Sequence, residues 1–427
     1  MIGRLTFRTA AAALSAILAL QSPSARCGQA LDWHAPWLQP ADPQAAQILS
    51  DEYAWRLFVA LNWPADPVTR AADPAVRLGA DRPVVWETWK SAGEVYLAGG
   101  VDPGAWDAPS GDAALRSARR FEVPSDKDFA NARHIVNGAM VPLSDPLEGA
   151  RRLTEIRLNR ATFEFIRLRH LYSIEGQLRN YAANLAVVFP TGAREIKAKW
   201  RPIQPQERAR YHTVEVQLAD GSRRLYGLTA LHILSKDLPT WFWATFEHVD
   251  NPGLPDSEGW RLQSRDRFAC ADAPWNCNRA PRGIGLEGTA WANYRLRGTL
   301  TAYLDAQGNP QRLANSELEA GFQPSSSCIT CHARATVAAL GEEAIRLPVF
   351  DSAGNFASPT ARRGFVGLPA AAWYSPSAVA GQDRPRFQGL DYVWSLSLAQ
   401  SERELLPQAA SSVAGVQGAH ALPAAIH

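Results

Sequence analysis

The chain has 427 residues, of which 46% are hydrophobic and 20% charged, with a formal net charge of +2. That is a globular composition with material for a sizeable core, in one large domain or two to three ordinary ones. Arg and Asp/Glu are interspersed, with no basic block and no acidic tail, so nucleic-acid binding is not expected.

Residues 1–30 read as an export signal. Arg4 and Arg8 supply the positive charge, and Thr9 to Leu20 is an uncharged apolar run of signal-peptide length, short for a membrane span. Cleavage is expected near residues 25–30, after Ala25 or Ala30, which would also remove Cys27. No later stretch is long and apolar enough to cross a bilayer, so no membrane span is expected in the mature chain.

Residues 31–186 read as mainly helical. Gln44 to Leu61 places Ile48, Leu49, Leu57, Phe58 and Leu61 at helical spacing, with Pro64 soon after. Val84 to Leu97 is rich in Trp and fits helix or strand. Thr154 to Leu185 carries Ile156, Phe163, Ile166, Leu171, Ile174, Leu178 and Tyr181, the longest helical pattern, with Gly176 as its divider.

From about Val187 to residue 315 the texture is β-rich. Glu195 to Ile203, Tyr211 to Leu218, Arg224 to Leu234 and Trp241 to Val249 read as strands. Asp220-Gly221 is a hairpin turn, and Pro239 suits the turn between the last two. Cys270 and Cys277 bracket a turn-rich loop, and in an oxidising compartment a disulfide is the plain reading. Gly283 to Gly288 matches G-x-G-x-x-G, but no strand precedes it and no helix follows, so no dinucleotide is expected there. Tyr294 to Leu304 and Pro310 to Leu313 flank Asp305 to Asn309 as a further hairpin.

Residues 316–400 hold the strongest signal. Cys328-Ile329-Thr330-Cys331-His332 is C-x-x-C-H, the attachment pattern of a c-type haem. Two thiols one helical turn apart can form thioethers with the two vinyl groups of one porphyrin edge. The next residue, His332, then turns its imidazole to the iron. A thioredoxin-like dithiol would need a strand before it, and Ser325-Ser326-Ser327 gives none. Zinc would need two further ligands, with Cys270 and Cys277 as the thiol candidates. A Cys328–Cys331 disulfide would be strained. Ala333 to Leu340 is expected to continue as helix, Arg362 to Pro385 as loop, and Tyr392 to Leu398 as a last apolar segment. Residues 401–427 read as a disordered tail.

The second iron ligand cannot be a methionine after the motif, since the chain has only Met1 and Met140. The small all-α cytochrome c fold alone is therefore a poor fit. Histidine is the other common ligand. His34 lies near the mature start, His420 and His427 lie in the tail, and His134, His170, His212, His232 and His248 are interior. Strand alternation puts His232 on one face with Leu228, Ala230 and Leu234, and His248 with Phe242, Ala244 and Phe246. On one hairpin, with Trp241 and Trp243, the two imidazoles would form a haem wall. His232 is the first candidate for the distal iron ligand and His248 the second, against the plainer reading of core histidines bonded to backbone. Arg167 and His170, three apart on a helix, would suit an open distal pocket of the peroxidase kind, against the plainer reading of a solvated face.

Five stretches together carry a likeness. They are Arg56-Leu57-Phe58-Val59-Ala60-Leu61-Asn62-Trp63-Pro64, Trp86-Glu87-Thr88-Trp89, Leu231 to Lys236 followed by Trp241 to Phe246, Asn293 to Thr299, and Ser326 to His332. The chain resembles a family of large, single-haem cytochrome c family proteins of Gram-negative bacteria. That resemblance implies export to the periplasm, haem and redox work, names no substrate, and ranks His232 ahead of His248. The expectation is thus an α+β protein with a helical N-terminal part, a β-rich centre and a C-terminal haem-attachment segment. It would carry one covalent haem c on Cys328 and Cys331, with His332 as the proximal iron ligand, and pass electrons to a redox partner protein. A haem peroxidase or oxygenase with an open distal site, or a haem-based sensor, is the alternative, and whether the chain is an enzyme stays open.

Overall fold

The computed structural model describes residues 31–108, 134–136, 139–141, 153–217, 223–251, 264–319, 323–340, 343–347, 365–375 and 385–405. Helix α1 (Pro43–Ile48) starts where the Asp42 carboxylate accepts from the Gln44 and Ala45 amides, with proline at the first turn. Helix α2 (Ser50–Leu61) follows directly. The continuous helix expected over 44–61 is thus two, because Leu49 leaves helical geometry between them. The ambiguous stretch 84–97 becomes a 3-10 turn (Val85–Thr88), a short strand β1 (Lys90–Ser91) and helix α3 (Ala92–Val95). Strands β2 (His134–Val136) and β3 (Ala139–Val141) pair with each other.

The long helical pattern expected from Thr154 is corrected by its pairing. Residues 153–158 form strand β4 (Leu153–Leu158), matched along its length to the later strand Arg194–Pro202. Helix begins only at α4 (Arg160–Leu168), capped by Asn159, and resumes as α5 (Ile174–Ala182), capped by Ser173. The break lies at residues 169–173, with Gly176 inside α5. A β-carbon at Gly176 would lie 1.7 Å from the His170 carbonyl oxygen, so the connection closes only over glycine.

The central strands appear close to their expected bounds: β5 (Arg194–Pro202), β6 (Thr213–Gln217), β7 (Arg223–Ser235), β8 (Phe242–His248) and β9 (Tyr294–Leu300). They join β1 and β4 in a seven-stranded antiparallel sheet of order β1-β4-β5-β7-β8-β9, with β6 also on β7. The N-terminal part therefore supplies two strands to the central sheet and shares its core. The hairpin expected at 305–309 is reduced to a Leu304–Pro310 bridge. Cys270 and Cys277 form a disulfide with Cα atoms 5.9 Å apart. Gly283, Gly285 and Gly288 all have positive φ in a loop, which gives way to a 3-10 turn (Ala290–Asn293) and not to a phosphate-binding helix.

Helix α6 (Cys328–His332) is a single turn of the C-x-x-C-H segment. The helix expected over 333–340 is overturned: Thr336–Leu340 is strand β10, paired with β11 (Glu343–Ile345) and β12 (Gln388–Gly389). Thr336 and Val337 are β-branched, and the turn after His332 points the chain toward β12. Mixed α+β architecture stands. Among the described residues no helix is long and apolar enough to cross a membrane.

The two faces of the sheet have different covers. On one, α2 packs Tyr53 on Phe242 at 5.0 Å, Trp55 on Phe246 at 5.0 Å and Phe58 on Phe246 at 4.4 Å between ring centroids. Full burial of one such ring contributes about 2 kcal/mol. The other face of β7 and β8 meets the segments around residues 315–332, where Asn315 bonds Thr245 and Trp243 meets His332.

Candidate cofactor site

Helix α6 puts Cys328 and Cys331 three residues apart, on one side of a single turn. The Cys331 amide donates to the Ser327 carbonyl at 2.9 Å, and Ala333 to Ile329 at 2.9 Å, which closes the turn. Fully buried Ile329 anchors the turn in the core, and the Thr330 hydroxyl donates to the Gly367 carbonyl at 2.7 Å. Both cysteines are free thiols. The Cys328 sulfur lies 3.6 Å from the Leu313 oxygen and that of Cys331 3.8 Å from the Phe365 oxygen. Burial pushes both thiols above their ordinary pKa, Cys328 well above.

His332 is held from two sides. Its Nδ1 lies 2.8 Å from the backbone oxygen of Tyr392, and because a carbonyl only accepts, Nδ1 carries the proton. The lone pair is then on Nε2, the arrangement seen when a backbone carbonyl orients a metal-binding imidazole. Trp243 meets the ring edge-on at 4.7 Å. Burial holds the imidazole pKa down at about 4, against the opposing Tyr392 bond.

His232 comes from the middle of β7, with Lys197 of β5 and Thr245 of β8 as its cross-strand neighbours. Its Nε2 is buried and meets hydrogen-bond geometry with no group, its ion-pair contact being Glu319 Oε2 at 3.5 Å. Glu319 is fixed by the Asn315 amide at 2.6 Å, and Asn315 by Thr245 and the Phe246 carbonyl. Burial would raise the Glu319 carboxyl, but His232, the Asn315 amide and Lys197 leave it below the ordinary range. The fields of Glu319 and Lys197 reach the Cys328 thiol, and those of His232, Glu319 and Lys197 reach His332. Trp243, which meets His332 on the thiol turn, shares one face of β7 and β8 with His232, so both imidazoles belong to the cluster on that face.

His248 is not part of it. The β7–β8 register pairs His232 with Thr245 and Leu234 with Trp243, so His248 points through the other face of the sheet. Its Nδ1 accepts from the Asp250 amide at 3.1 Å, and its Nε2–H donates to the Arg210 carbonyl at 3.0 Å. It stacks on Tyr211 at 3.7 Å, and burial lowers its pKa to about 4. Neither nitrogen is left for iron, and the two-imidazole wall expected of this hairpin does not form. Trp243 faces the cluster, whereas Trp241 packs on Phe189.

Other expected residues go elsewhere. His170 lies beyond the end of α4 and so does not share a helix with Arg167. Arg167 pairs with Asp102 at 2.9 Å, and His170 bonds the Tyr172 hydroxyl at 3.0 Å, partners outside the cluster. His212 bonds Glu87 at 2.7 Å and stacks on Trp291. His34 is exposed; the side chain of His134, the whole of His420 and His427, and residues 1–30 and 406–427, read above as signal and tail, lie outside the described residues. The disulfide removes Cys270 and Cys277 as zinc ligands. Among the described residues, no group of three or more His, Cys, Asp or Glu could hold a metal ion. A porphyrin, which supplies four nitrogens itself, asks the protein for only one or two axial ligands.

No family model, curated protein or solved structure matches the chain. The site must be read from its own geometry. Two free thiols on one turn, a histidine with its tautomer set and a second with an orphaned nitrogen fit a c-type haem. Sequence reasoning missed Glu319, Lys197 and the Tyr392 carbonyl. Nothing local marks them, because each reaches the site through strand pairing or a turn distant in sequence.

Proposed function

We propose that the chain is an exported electron-transfer protein with one covalent haem c, held by Cys328 and Cys331 as thioethers and ligated by His332. His232 would be the second protein residue to hold the iron. The observation that carries this reading is the complementary state of the two imidazoles. His332 has Nδ1 tied to Tyr392 and Nε2 spare, while His232 has a buried Nε2 without a hydrogen bond. A buried nitrogen left without a well-formed hydrogen bond costs up to about 1–3 kcal/mol, less beside a carboxylate such as Glu319, and metal ligation would remove that cost. Bound there, the haem would supply a one-electron iron couple.

The protein's own part is to orient and to exclude water. Tyr392 fixes the His332 ring, Trp243 covers its edge, and strand β7 presents His232 from a rigid sheet. An unidentified redox protein is the proposed partner, and the signal at residues 1–30 supports a periplasmic location.

The test is expression with haem-attachment machinery, followed by haem staining after denaturation. Wild-type chain should stain, and the double variant C328S/C331S should lose all stain. If wild-type chain does not stain, the proposal is wrong.

A further inference from the structure

Two consecutive non-glycine residues near the site have left-handed backbone, Asp391 at φ 48° and Tyr392 at φ 68°. Side chains with a β-carbon avoid this region, and Tyr has none of the local hydrogen bonding that lets Asp visit it. Such a pair persists only when its surroundings hold it. The holding contacts converge on Asp391. Its Oδ1 lies 2.7 Å from the Lys236 ammonium, and its Oδ2 accepts from the Phe189 amide at 2.7 Å. Lys236 is itself buried and fixed, donating from Nζ to the Pro239 carbonyl at 2.9 Å and from its backbone amide to Ala193 at 2.8 Å. Leu390 bonds the Ala335 carbonyl at 2.8 Å, just past α6, and the Tyr392 hydroxyl meets Tyr303 at 2.8 Å. The product of this turn is the Tyr392 carbonyl at 2.8 Å from His332 Nδ1.

We propose that the Lys236–Asp391 ion pair is a positioning device for His332. It locks a strained two-residue turn so that the Tyr392 carbonyl sets the tautomer, ring orientation and electron density of the proximal imidazole. Lys236 lies four residues after His232 and one past the end of β7. Strand β7 and the residue that follows it therefore present His232 and clamp the support of His332. The effect on iron rests on the haem reading above; the effect on the His332 tautomer does not.

The test uses D391N, which suits a left-handed backbone and keeps an acceptor for Phe189 but loses the charge, together with K236M, the double variant and K236R. A weaker Nδ1–H bond makes the imidazole a poorer donor to ferric iron. Both single variants should therefore raise the reduction potential, the double variant should add little beyond the larger single effect, and K236R should restore most of it. In parallel, full-length C328S/C331S chain with 15N-labelled histidine should show the Nδ1–H tautomer at His332. Adding D391N should convert part of it to Nε2–H. Unchanged potentials and an unchanged tautomer with only a lower melting temperature would overturn the clamp and leave the haem reading intact. A tautomer change in C328S/C331S, together with a wild-type chain that takes up no haem when expressed with the attachment machinery, would keep the clamp and overturn the haem reading.

Discussion

His232 and His248 sit on adjacent strands of one hairpin, both buried, yet their chemistry differs in every respect that matters. His248 has both nitrogens in backbone hydrogen bonds and a tyrosine stacked on its ring. His232 has a buried Nε2 without a well-formed hydrogen bond beside Glu319, on the sheet face that meets residues 315–319. Burial alone does not make a histidine a ligand candidate. The state of its second nitrogen, and the face on which register places it, make the distinction. A buried imidazole with both nitrogens satisfied belongs to the scaffold.

The sharpest way to break this comparison is to remove each histidine in turn. H232A should convert a low-spin spectrum into one that binds carbon monoxide when reduced, whereas H248A should leave the spectrum unchanged and cost about 2 kcal/mol of stability through two lost hydrogen bonds. A carbon-monoxide-binding H248A with an inert H232A would reverse the assignment.

Acid sharpens it further. His248 has its folded pKa held by burial at about 4, against an ordinary value of 6.5. It is neutral in both states above pH 6.5, so its packing counts in full there. As pH falls from 6.5 toward 4, the unfolded chain takes up a proton that the folded one refuses. The loss is about 3 kcal/mol by pH 4. Denaturant melts across that window should show the slope in wild-type chain and a flatter profile in H248Q. Equal slopes would contradict the burial argument.

Away from the sheet, opening the Cys270–Cys277 disulfide with C270S/C277S frees a short loop and should cost about 2.5 kcal/mol on a loop-entropy estimate, read from the same melts. The haem spectrum should not move. The smallest effect is expected for R167A and H170A, whose partners lie outside the cluster. Each should alter stability by no more than about 0.5 kcal/mol and leave spectrum and ligand binding as in wild type. Peroxide reactivity lost in either variant would return them to a distal pocket.

Much of the fold was legible where the signal is local. The alternating runs at 195–203, 224–234 and 241–249 are strands, and C-x-x-C-H is a tight helical turn with its thiols on one side. Signals that depend on partners misled. Leu153–Leu158 pairs with residues about forty positions later, and its apolar spacing fits a helix equally well. Residues 336–340 follow a helical turn and become a strand because β11 and the distant β12 both pair with them. The faces of His232 and His248 each follow from alternation, but whether the two faces coincide depends on the cross-strand register. That register is set by the turn at 236–241, which sequence spacing leaves free. The support of His332 was illegible for the same reason, since a backbone carbonyl sixty residues away has no side-chain signature.

The central claim is a covalent haem between His332 and His232, and one sample tests it most directly. Full-length chain, expressed with haem-attachment machinery, would be weighed after denaturation, and its folded form recorded oxidised, reduced, and reduced under carbon monoxide. The account predicts the mass of the chain plus one haem, and a low-spin spectrum that carbon monoxide leaves unchanged. A bare mass would contradict the attachment at Cys328 and Cys331, and a haem-bearing chain that takes up carbon monoxide at once would contradict ligation by His232.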